Sequence, residues 1–150
     1  MVRNLWGQSV AKVDAKGRIN IPSKVRRYLR PEDDDTFLVM RHPTEPCVVA
    51  LPISRWEELV DELYEQLNDR AQLKRILRHL LKGSSEQRLD KQGRLNLTKD
   101  LIKFGKLDSE VYIVASKDQL EIWNKQIFDE KYAPSELKEE DQEVIKNIGL

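Results

Sequence analysis

Val13-Asp14-Ala15-Lys16-Gly17-Arg18-Ile19-Asn20-Ile21-Pro22 is answered 76 positions later by Leu89-Asp90-Lys91-Gln92-Gly93-Arg94-Leu95-Asn96-Leu97-Thr98. The surroundings repeat at the same offset, with Ser9/Ser85, Lys12/Arg88, Val25/Leu101 and Tyr28/Phe104. A duplication this regular means two copies of one supersecondary unit. Two copies make no solenoid, so one pseudo-symmetric body is expected.

Each copy sets short β-rich runs on either side of Asp-x-x-Gly-Arg. Aspartate opening a turn and glycine at its fourth position suit a type I turn closed by a left-handed glycine. The expectation is a tight hairpin, Val10–Val13 against Arg18–Ile21. Asp14 closes its turn through backbone N–H groups, Gly17 supplies the positive φ, and Arg18 stands at the tip. Asp90, Gly93 and Arg94 take the same parts in the second copy.

The 150 residues sum to zero formal charge, but the charge is segregated. Residues 1–30 carry a net +7, 31–69 a net −9, 70–82 a net +5 with no acid, 83–106 a net +3 and 107–150 a net −6. Both copies of the loop lie in positive blocks. A polyanion responds to the local field, screened beyond about 8 Å at physiological salt. No apolar run approaches the roughly 18 residues of a membrane span. Met1 to Gly7 lacks the apolar stretch of a secretory leader, and a single cysteine, Cys47, fits a reducing compartment.

Pro22 suits the start of a short helix with Val25 and Tyr28-Leu29 as its apolar stripe. In the copy, Thr98 can cap a helix that ends at Gly105. Strands follow at Thr36–Met40 and Cys47–Leu51, then at Val111–Ala115 and Leu120–Trp123. The unit is β-β-α-β-β with a trailing helix. Ser54 and Glu57 read as a capping box, with Ile53 as a staple, opening a helix interrupted at Asn68-Asp69 and resumed to Gly83. Asn124 can cap the equivalent helix, with Phe128 in the place of Trp56. Beyond Pro134 a weakly amphipathic helix and disorder are both open. The resulting division is repeat 1 over 8–54, a helical insert over 55–83, repeat 2 over 84–127 and a tail over 128–150.

Two Asp-x-x-x-Arg loops with glycine before the arginine, spaced around a helical insert and joined by Trp56-Glu57-Glu58, resemble the MraZ family of bacterial regulators with tandem SpoVT-AbrB-type modules. The resemblance covers residues 8 to 131. It implies an α+β fold, a double-split β-α-β (AbrB-like swapped-hairpin) barrel of two tandem pseudo-symmetric repeats with peripheral helices. It further implies ring-shaped homo-oligomers and repression at the promoter of the division and cell-wall cluster, through double-stranded DNA carrying repeated boxes. The chain departs from its own first copy at Thr98, which replaces Pro22, and at Gln92, which replaces Lys16.

A hairpin tip fits a major groove about 12 Å wide, where arginine can fork onto guanine and lysine can neutralise phosphate. Arg18 is the candidate base reader, and Arg94 is the matching candidate DNA contact of the second copy. Lys16 and Lys91 are candidate backbone contacts, with Lys12, Arg26, Arg27 and Arg88 widening the field. Asp14, Gly17, Asp90 and Gly93 are loop-structural. The rival reading of each arginine is a surface ion pair that only stiffens its turn. Asp33-Asp34-Asp35 lacks calcium-loop spacing and reads as a solvated turn, His42 and His79 are isolated, and Cys47 reads as core. No Ser/His/Asp set, metal cluster or phosphate-cradling glycine loop points to an enzyme, and no cofactor is expected. The alternative function is an AbrB-like antitoxin or transition-state regulator whose tail, 134–150, would wrap a toxin. Cytoplasmic, nucleoid-associated placement follows from the DNA reading.

Overall fold

A computed structural model of the chain describes residues 5–150. Met1 to Asn4, part of the segment expected to lack a leader, lie outside the described residues. Among the described residues eight strands form two antiparallel sheets. They are β1 (Leu5–Lys12), β2 (Arg18–Asn20), β3 (Thr36–Arg41), β4 (Val48–Pro52), β5 (Ser85–Arg88), β6 (Arg94–Asn96), β7 (Glu110–Lys117) and β8 (Gln119–Asn124). The large sheet runs β1-β7-β8-β4-β3-β5, and β2 and β6 make a separate two-stranded ribbon. The six-stranded sheet is open, with β1 and β5 at its edges, so the expected barrel closure is not what the chain forms.

The tight hairpins need a second correction. Val13 bridges Ile19 beside the turn, after which the strands part. β1 continues along β7, while β2 turns to pair with β6. Each arm of a turn therefore finds its partner in the other half of the chain. Burial explains the divergence, because Ile19 and Leu95 are both fully buried against the inner face of the large sheet. Seating those two side chains is worth about 2 kcal/mol each.

Among the described residues six α-helices surround the sheets: α1 (Ser23–Arg26), α2 (Ile53–Gln66), α3 (Arg70–Leu81), α4 (Lys99–Gly105), α5 (Lys125–Lys131) and α6 (Glu139–Asn147). Val25 of α1 and Leu101 of α4 join the ribbon in the inner core, with Phe37, Val48, Ile113 and Ile122. On the outer face, Leu38, Met40, Val49 and Leu51 are covered by Ile53, Trp56, Leu59 and Leu80 of α2 and α3. α5 covers the neighbouring strands through Phe128, which meets Trp123 and Tyr112 edge-on at 5.2 and 5.6 Å.

Several expectations about helix ends are revised. Ser54 and Glu57 form no capping box, because α2 starts two residues earlier than that cap requires, after Pro52, with no side-chain cap of its own. The Ser54 N–H instead donates to Asp33 Oδ1 at 2.9 Å, and Asp33 Oδ2 accepts the Arg30 N–H at 2.8 Å. Asp33 is thus buried and fully engaged, while Asp34 and Asp35 form the exposed, left-handed turn. α4 ends at Gly105 as expected, but the left-handed residue is Lys106 (φ 50°), and a Cβ at Gly105 would lie 3.1 Å from the Leu107 side chain. Thr98, Asp69 and Asn124 do cap their helices through side-chain oxygens. Cys47 is buried, and burial raises its thiol pKa far above the ordinary range. The tail is helical in α6, with Val144 and Ile148 exposed.

Candidate nucleic-acid interface

The two turns are built alike, atom for atom. Asp14 Oδ1 accepts the N–H groups of Lys16 and Arg18, both at 2.9 Å, and Oδ2 accepts Arg18 Nε at 2.8 Å. Asp90 Oδ1 accepts from Gln92 and Arg94, again at 2.9 Å, and Oδ2 accepts Arg94 Nε at 2.7 Å. Gly17 (φ 82°) and Gly93 (φ 76°) hold the left-handed positions that side chains disfavour. The carboxylates are charged hubs. Accepting the Arg18 backbone N–H, together with the arginine side chain and the Lys16 N–H, holds the Asp14 carboxyl below the ordinary aspartate range. Arg94 and Gln92 do the same for Asp90.

The turns are tied to each other across the ribbon. The Leu97 N–H donates to the Gly17 carbonyl at 2.7 Å, and the Ile21 N–H to the Gly93 carbonyl at 3.0 Å. Between them Arg18 faces Asn96, Ile19 faces Leu95, and Asn20 faces Arg94. Directly opposed residues on antiparallel strands share a face. Ile19 and Leu95 point inward, so Arg18, Asn20, Arg94 and Asn96 share the outward face. Strand rise and spacing put the two arginine Cα atoms roughly 8 Å apart.

Each arginine is paired with its aspartate, as the rival reading held, yet the pairing uses Nε only. Among the described residues neither pair of terminal Nη groups has a hydrogen-bond partner. A guanidinium pinned at Nε presents its terminal N–H groups in a fixed direction, suited to a planar pair of acceptors. The carboxylate therefore orients the cation and leaves its fork open.

The other expected residues are placed less uniformly. Lys16 and Lys91 are exposed on their loops. Lys12 closes β1 opposite Glu110. Arg88 sits on β5, where Nη2 contacts Asp34 Oδ1 at 3.0 Å and Nε donates to the Asp34 carbonyl, in an exposed ion pair. Arg26, already expected to widen the field, and one new cation, Lys99, stand at the loops. Arg26 lays its guanidinium against Gly93, within 2.7 Å of where a Cβ would stand, and Lys99 lines a groove of about 360 Å³ beside Asp14, Lys16 and Gly17. Lys99 carries no local signal, because only the ribbon crossing brings it to the opposite loop. Asn20 and Asn96 are equally invisible until the register is known. Among the described residues no group of three or more His, Cys, Asp or Glu side chains could hold a metal, and no helix is long and apolar enough to cross a membrane.

Comparison with known proteins agrees with the loop pattern. A family model described as "MraZ protein, putative antitoxin-like" matches residues 80–147, past Tyr132 and into α6. A protein named transcriptional regulator MraZ from Marinomonas sp. (strain MWYL1) is 32% identical over 142 residues, covering 92% of this chain and 94% of its own length. One of the same name from Phocaeicola vulgatus is 30% identical over 143 residues, covering 93% and 92%. Another, from Pseudoalteromonas translucida, is 32% identical over 119 residues, covering 79% and 78%. With both loops intact and similarity running nearly end to end, the chain belongs to the MraZ family.

Proposed function

We propose that this protein is a sequence-specific DNA-binding transcriptional regulator, a repressor acting at its own promoter and at the division and cell-wall gene cluster. The observation that carries the reading is the outward ribbon face, where two arginines are held by Asp14 and Asp90 with their terminal forks open. A two-stranded ribbon fits the major groove, and a guanidinium fork matches guanine O6 and N7. Lys16, Lys91, Lys99 and Arg26 flank the arginines and supply sequence-independent attraction to phosphate. The relatives named transcriptional regulator support this class of function, as does the crossing of arms between halves expected of an AbrB-like swapped hairpin. Nothing in the mechanism is catalytic, since an occupied promoter excludes polymerase. Action on DNA places the protein in the cytoplasm, at the nucleoid.

A single chain offers few contacts. A homo-oligomeric ring presenting many copies to repeated boxes would gain about 10²–10⁴-fold in avidity where the spacing fits. Trp6 (61% exposed) and Val10 (54%) on the open edge strand β1, with Val144 on α6 and Ile148 just after it, are apolar surface suited to subunit contact.

The test is a gel shift on DNA from upstream of its own gene. Arg18→Ala and Arg94→Ala are each expected to weaken binding by about 1–3 kcal/mol. Unchanged binding in both variants removes the assignment. The logarithm of affinity is expected to fall with the logarithm of salt, at a slope near −0.9 per phosphate contacted.

A further inference from the structure

We infer that Asn20 and Asn96 are specificity-determining residues that read bases beside the arginines, so that each chain reads a pair of Arg-Asn units related by a pseudo-two-fold axis. The inference rests on the DNA reading above and deepens it.

Three observations carry it. First, the ribbon register sets Asn96 directly across from Arg18 and Asn20 directly across from Arg94, on the one face that points away from the core. Second, both asparagines are exposed and neither side chain makes a hydrogen bond among the described residues. The capping asparagine of α5 shows the contrast, for Asn124 uses both its oxygen and its nitrogen. Third, asparagine is disfavoured in strands, yet it occupies the same outward position in both three-residue strands of the ribbon.

The chemistry of the amide identifies what it would meet. A carboxamide offers one acceptor and two donors in a plane, matching adenine N7 and N6 in the major groove, as guanidinium matches guanine O6 and N7. Side chains opposed across an antiparallel pair stand about 4.5–5.5 Å apart at Cβ, against a rise of about 3.4 Å per base pair. One Arg-Asn unit therefore addresses a guanine and an adenine within about two base steps. The second unit, turned about the Ile19–Leu95 pair, addresses the same two bases in inverted order.

The experiment is enrichment of binding sites from a randomised duplex pool by the full chain. Asn20→Ala, Asn96→Ala, the double variant, Arg18→Ala and Arg94→Ala are run in parallel. The wild type is expected to enrich guanine with a neighbouring adenine, in inverted arrangement. The double asparagine variant is expected to keep the guanine preference and lose the adenine preference. Affinity for the wild-type site should fall about tenfold per asparagine, with the salt slope unchanged. Unaltered base preference in the folded double variant, judged by an unchanged unfolding midpoint, overturns the inference and leaves the DNA reading standing. So does a uniform loss on all sequences with a shallower salt slope, which marks a phosphate contact. Failure of the wild type to enrich any site, with the arginine variants indistinguishable from it, overturns the DNA reading and this inference together.

Discussion

The loops at 14–18 and 90–94 have the same backbone and the same Asp–Arg geometry, but they rest on different neighbours. Gly17 is pressed against main chain, since a Cβ there would lie 2.7 Å from the Leu97 carbonyl oxygen and 3.2 Å from Ile102 Cδ1. Gly93 is covered by the Arg26 guanidinium, the far end of a flexible side chain. Residues 26 and 102 occupy matching places in the two copies, so a cation replaces an aliphatic group at one loop only. The loop cations are shifted as well, from the third position at Lys16 to the second at Lys91. The shared backbone teaches what a turn of this kind requires, and the differing neighbours teach how the two loops could contribute unequally.

Alanine at the two glycines should expose that difference most strongly. Both substitutions force a side chain into the left-handed region, at about 1–2 kcal/mol, and Gly17→Ala adds overpacking against fixed backbone, for roughly 3–4 kcal/mol in all. Gly93→Ala should cost only the conformational part, and Arg26→Ala should relieve whatever crowding remains. Urea unfolding of the two single variants and the Gly93/Arg26 double decides this, and equal losses would refute it.

The starts of the two trailing helices should differ by a smaller margin. Asp33→Ala leaves two partly buried backbone N–H groups without acceptors and is expected to destabilise by about 2–3 kcal/mol. Asn124→Ala removes a local cap and should cost about 1 kcal/mol. Thermal or denaturant unfolding ranks them.

Binding measurements give a finer comparison. Lys16→Ala and Lys91→Ala should each reduce the salt slope of DNA binding by about one while leaving base preference intact. A change in base preference with either would move that lysine from the phosphates to the base edges.

The smallest effect expected is in acid, where the loops should behave alike. Because their folded carboxyls titrate below the ordinary aspartate range, Asp14 and Asp90 lend order to the turns at all higher pH. That contribution is lost as pH falls through the depressed folded values. The Arg18 and Arg94 amide resonances, followed by NMR, should move together below the ordinary aspartate range and stay constant above it. Divergence would show that the Arg26 guanidinium alters the second hub.

Much of the fold was legible because its signals are local. The two turns, the Thr98 and Asn124 caps, the break at Asn68-Asp69 and the core strands all follow from residues within a few positions of one another. The Ser54-Glu57 motif misled because Asp33, 21 residues away, competes for the same N–H group and wins by being buried beside it. Barrel closure failed as an expectation because β1 and β5 remain at the edges of the sheet. Arg88 was placed with the binding residues on charge alone, and its contact with Asp34, 54 positions away, could not be read from the local sequence.

What the sequence determined by itself is the Asp-x-x-Gly-Arg turn, made twice. Its hydrogen bonds span two and four residues and its left-handed residue is a glycine, so no distant contact is needed to specify it. Only the tertiary structure decided that β2 pairs with β6, and hence that Arg18 faces Asn96 and Arg94 faces Asn20. That choice is made by burying Ile19 and Leu95 in a shared core, and burial is a property of the assembled chain rather than of either segment.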